Sequence, residues 1–119
     1  MNKELIKKLI NCDITWKEFS SIENCNSYLI ELDETIIKID IKIIINAIQH
    51  CLDNKYTMQD LLDWANVIRF SDIFSFEEDN ADCIISILDR IEESDEDESE
   101  LSTKDLSLMI KKLEKNEAW

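Results

Sequence analysis

The side chains of this chain that could do chemistry are one histidine, four cysteines and 27 carboxylates. His50 directly precedes Cys51. A catalytic Cys–His pair needs the imidazole within hydrogen-bond reach of the thiol, and adjacent residues on a helix face different directions. Such a pair would need the fold to bring Cys12, Cys25 or Cys83 to His50, and no motif around those cysteines asks for it. None of the four forms a Cys-x-x-Cys pair, so a zinc site is not expected, and reduced cysteines pack as small hydrophobes. Asp60-x-x-Asp63 and Asp79-x-x-Asp82 could share helix faces, but a calcium loop needs alternating oxygens around a glycine, and the chain contains no glycine. The same absence excludes Gly-rich phosphate loops, dinucleotide-binding turns and nucleophile elbows. No catalytic residue, metal site or cofactor site is therefore expected, and the chain does not read as an enzyme.

What remains is charge. Residues Glu92, Glu93, Asp95, Glu96, Asp97, Glu98 and Glu100 put seven acids into nine positions, in a chain of net charge −14. Its first acids fall at the C-terminal end of a helix, where the macrodipole opposes negative charge. A run that breaks local rules in this way reads either as a solvated loop or as a partner-binding loop. A second surface lies between two helices, where Phe70, Ile73, Phe74 and Phe76 are interleaved with Asp72, Glu77, Glu78, Asp79 and, further on, Asp82. Those apolar residues either close the core or form an aromatic and acidic hot spot.

The elements that must position these residues are helices. Neither glycine nor proline occurs, which removes the favoured turns of tight hairpins and disfavours large sheets. Four helix starts carry one pattern, an apolar residue, a capping residue, then an apolar residue four positions after the cap: Ile14-Thr15…Phe19, Ile39-Asp40…Ile44, Tyr56-Thr57…Leu61 and Leu101-Ser102…Leu106. This is an N-cap with a hydrophobic staple, and three copies place an acid where a capping box would have it. Their uneven spacing argues against a solenoid repeat.

With these starts, apolar periodicity predicts helices over Asn2–Asn11, Trp16–Cys25, Ile41–Asp53, Met58–Ile68, Asn80–Ile91 (capped by Asp79) and Thr103–Lys115. Trp16, Phe19 and Ile22 are expected to face inward from the second. The β-branched stretch from Ser27 to Ile39 stays open between a small hairpin, an extended loop and a helix.

The expected fold is all-α or mostly α. It is a compact bundle of about six short helices, with a hairpin near 28–39 as one reading of that stretch. A single domain over 1–119, with an acidic loop at 92–101, fits the length. Apolar residues make up 45% of the chain, including 20 isoleucines and 12 leucines, enough for a core. No apolar run approaches a membrane span, and Met1–Leu5 lacks a signal peptide's apolar stretch, so a cytoplasmic location away from membranes is expected. The charge disfavours direct nucleic-acid binding and favours a basic protein partner.

The stretch from Tyr56 to Ile68 (Tyr-Thr-Met-Gln-Asp-Leu-Leu-Asp-Trp-Ala-Asn-Val-Ile), with Asp72-Ile73 and Ile84–Leu88, resembles a group of small helical bacterial proteins. These are the immunity proteins of toxin–immunity pairs, including the contact-dependent growth inhibition type. The similarity covers roughly residues 40 to 113. It implies a protein that binds a cognate toxin domain, with a nuclease as the expected class, and occludes its basic active-site surface. The residues expected to carry that contact are Asp72, Glu77, Glu78, Asp79 and Asp82, together with the seven acids from Glu92 to Glu100. The alternative is an acidic nucleic-acid mimic that inhibits a DNA-binding protein.

Overall fold

Local capping sets where the helices begin. In the computed structural model, which describes residues 3–24, 27–28, 36–95 and 100–119, the helices are α1 (Lys3–Ile10), α2 (Trp16–Glu23), α3 (Ile41–Leu52), α4 (Met58–Phe70), α5 (Ala81–Glu93) and α6 (Thr103–Glu114). The side chains of Thr15, Asp40, Thr57 and Ser102 cap α2, α3, α4 and α6. Three of these caps are reciprocal boxes, closed by Glu18, Asp60 and Asp105. The Asp105 carboxyl is held below its ordinary range, first by the backbone N–H of Ser102, then by the Ser102 hydroxyl. The mostly helical bundle expected from the sequence is what forms, and the helix ends differ by only one or two residues.

Without glycine, the turns that need a left-handed residue use other side chains. Asn24, Asn54 and Asn116 take positive φ near helix ends, asparagine being the ordinary residue that tolerates this best. Cys12 does the same after α1, with φ 63°.

The core joins all six helices. Trp64 of α4, fully buried, donates its indole N–H to the Leu9 carbonyl at 3.0 Å. Tyr56 donates its hydroxyl to the Ile14 carbonyl at 2.7 Å. These two bonds tie the first helical pair to α4 and satisfy polar groups that burial would otherwise penalise. α6 packs against α3 and α5, its buried face made by Leu106, Met109 and Leu113.

Three expectations need correction. Ile22 is 61% exposed. Successive steps of three residues fall 60° short of full turns, so Ile22 sits about 120° around α2 from Trp16, off the buried face. Asp79 does not cap α5: a 3-10 turn (Glu78–Asn80) precedes the helix, and its N-cap residue Asn80 makes no side-chain capping bond. The third concerns the stretch after Ser27. Its last residues form β1 (Ile37–Ile39), which pairs in parallel with β2 (Phe74–Phe76), Ile37 opposite Phe74. The pairing is thus long-range, while residues 29–35, the rest of the suggested hairpin, lie outside the described residues. The linker after α4 mainly closes the core: Ile73 and Phe74 are buried and Phe76 packs against it, whereas Phe70 is 45% exposed.

Candidate functional site: an acidic trough between two helices

α4 and α5 pack against each other, with Leu61, Trp64, Ala65 and Ile68 among the buried residues of one and Ile84, Ile87, Leu88 and Ile91 among those of the other. Near the end of α4, Arg69 Nε donates to Asp89 Oδ1, in the second half of α5, at 3.1 Å. Beyond that ion pair the outer edges of the two helices diverge into a groove of about 560 Å³. Leu62 and Asn66 line it from α4, and Asp89, Glu92, Glu93 and Asp95 from α5 and its end.

A cleft of about 330 Å³ continues it toward the start of α4. Its apolar walls are Met58, Leu62 and Leu101, and its polar rim is Gln59, Ser94, Asp95 and Glu100. Leu62 and Asp95 belong to both, so groove and cleft form one trough, with acids at both ends and an added apolar wall at the Met58 end.

Several bonds hold its walls in place. Ser94 and Asp95 donate backbone N–H groups to the Ile91 and Glu92 carbonyls, closing the end of α5 in a turn that presents Asp95. Tyr28 donates its hydroxyl to Asp63 Oδ1 at 2.8 Å, and Gln59 donates to the same oxygen at 2.9 Å. Burial, then the bond to Asp63 and the Asp63 charge, raise the Tyr28 hydroxyl above its ordinary value, and Asp95 adds to the rise.

Of the acids expected to bind a partner, Glu92, Glu93, Asp95 and Glu100 are exposed and line the trough. Glu96, Asp97 and Glu98 lie outside the described residues. Asp72, Glu78, Asp79 and Asp82 are exposed and Glu77 is half-buried, all around the turn that leads into α5. Ten residues of helix rise separate Asp82 from Glu92, about 15 Å, so the two groups of acids occupy opposite ends of α5.

The two ends differ electrostatically. Acids at the start of α5 suit the macrodipole, whereas Glu92 and Glu93 in its last turn oppose it. The first group therefore has an ordinary folding explanation and the second does not.

Met58, Leu62, Asn66 and Asp89 escaped the sequence reading. The spacing of Asp89 to Glu92 and Glu93 did mark one helix face. Nothing local marked the α4 side, because it joins the trough only through packing. The Asp60–Asp63 pair is not a paired site: Asp60 accepts the Thr57 N–H in the cap, while Asp63 accepts from Tyr28 and Gln59.

Cys25 lies outside the described residues, and the other cysteines and His50 are turned to structural ends. His50 Nδ1 lies 2.8 Å from the Asn46 carbonyl, and its ring meets the Tyr56 ring edge-on at 5.8 Å. Burial pushes the Cys12 thiol up to about 12, the reverse of what a nucleophile needs. Cys51 Sγ donates to Met58 Sδ at 3.4 Å, and Cys83 Sγ to the Glu117 carbonyl at 3.0 Å. Among the described residues no three His, Cys, Asp or Glu side chains are placed to hold a metal ion together, and no helix is long and apolar enough to cross a membrane. Compared with protein-family models, with curated proteins and with solved structures, the chain matched none.

Proposed function

We propose that this chain is a stoichiometric inhibitor of one basic protein, acting as the immunity half of a toxin–immunity pair. It would neutralise its toxin, a nuclease by class, in the cytoplasm by covering the basic surface that holds nucleic acid. The observation that carries this reading is the trough between α4 and α5. Three exposed carboxylates, Glu92, Glu93 and Asp95, line one groove beside the Arg69–Asp89 ion pair, and two of them stand where the helix dipole makes them costly to keep.

The charge distribution supports the same reading. Residues 63–100 hold fourteen of the 27 acids and two of the 13 cations. A field so lopsided speeds encounter with a basic surface, and apolar contact then slows dissociation. The similarity of Tyr56–Ile68 to immunity proteins points the same way.

Affinity capture with the tagged chain, washed at rising salt, tests it. The expected result is one partner in equimolar amount, toxic when expressed alone and harmless when co-expressed with this chain. Many unrelated basic proteins, all released at moderate salt, would overturn the reading in favour of a general nucleic-acid mimic.

A further inference from the structure

We propose that the trough takes a cationic segment of the partner that also carries one apolar anchor side chain. The anchor enters the cleft between Met58, Leu62 and Leu101, and arginine or lysine side chains lie over Glu92, Glu93 and Asp95. This rests on the inhibitor reading and adds the chemistry of what is bound.

Carboxylates alone would attract any polycation. The cleft is what narrows the choice, because it offers apolar walls in the most acidic part of the molecule. Leu62 is buried at its base, and Met58 and Leu101 are half-buried at its sides. Met58, Leu62 and Asn66 follow one another along a single face of α4, each about one turn on, so the cleft opens directly into the acidic groove at Leu62, which lines both. An occupant must therefore hold its anchor and its cations about one helical turn, or roughly 6 Å, apart. Long cationic side chains suit the join, since their methylene stems can lie along Leu62 while their heads reach the acids. A simple polyamine has the charge and lacks the anchor.

The test is selection of a random peptide library, displayed on phage, against the full chain. The expected consensus is one large apolar residue at a fixed offset from two arginines or lysines. Met58→Gln with Leu101→Gln, both at half-buried positions, should erase the apolar preference and keep the basic one. Glu92→Gln with Glu93→Gln should do the opposite. Helical circular dichroism spectra and cooperative melts establish that each variant is folded.

Replacing the anchor of a selected peptide by serine should weaken binding about tenfold or more, the scale of one buried apolar side chain. Basic peptides with no fixed apolar position, or no enrichment at all, would overturn the proposal. So would displacement of a selected peptide by spermine at a matched concentration. If the selection fails while a single partner is still captured, the anchor falls and the inhibitor reading stands. If capture fails, that reading falls on its own test.

Discussion

At the scale of single residues, the groups most able to react are the ones the fold silences. Cys12 is buried, its thiol is pushed up to about 12, and it sits at a positive φ that only the tight exit from α1 explains. A thiolate is the reactive species, so iodoacetamide at pH 8 should label Cys12 roughly a thousandfold more slowly in the folded chain than in the unfolded one. Mass spectrometry of the labelled peptides reads this directly, and equal rates would contradict the burial. The same shift has a sign in stability. The folded chain keeps the Cys12 proton more tightly than the unfolded chain does. Its contribution is complete below the ordinary thiol value and is lost as pH climbs from there toward 12. Cys12→Ala should make a urea-midpoint titration over pH 8–10 flatter than that of the unaltered chain, and an unchanged slope would count against the shift.

At the scale of elements, the capped starts matter most, because α4 carries one wall of the trough from its first residue. Thr57→Ala removes a reciprocal box and should cost about 1 kcal/mol in urea denaturation. Amide hydrogen exchange should rise first at Asp60, whose N–H the Thr57 hydroxyl accepts. The caps show why so much of the fold was legible. A cap, its box and its staple lie within six consecutive residues, so four helix starts could be placed from local chemistry alone. The β1–β2 pair was not legible, since Ile37 meets Phe74 across 37 positions and neither strand exceeds three residues. Ile22 misled because three-residue spacing drifts around a helix, and Asp79 because a 3-10 turn intervenes before α5. The candidate site divides the same way. Its α5 acids stood out as a run, whereas Met58, Leu62 and Asn66 look like any helix face until α5 packs beside them.

At the scale of the whole molecule, the net charge is concentrated where the proposed binding surface lies. Residues 1–60 hold ten acids and seven lysines, so eleven of the fourteen net negative charges lie in the remainder, mostly around α4 and α5. Such self-repulsion weakens the compact state and is screened by salt. Raising sodium chloride from 0.02 to 0.5 M should raise the melting temperature by about 3–8 °C, and a flat or falling response would contradict this. The same salt should slow association with a basic partner. The central claim is that the trough, and not the acidic turn at the other end of α5, is the binding surface. Affinity for the captured partner should therefore be measured for two matched charge reversals, Glu92→Lys with Glu93→Lys and Asp79→Lys with Asp82→Lys. The expected result is a loss of about a hundredfold or more for the first pair, from charges placed directly against the cationic segment, and little change for the second. Equal losses, or the larger loss at Asp79 and Asp82, would contradict it.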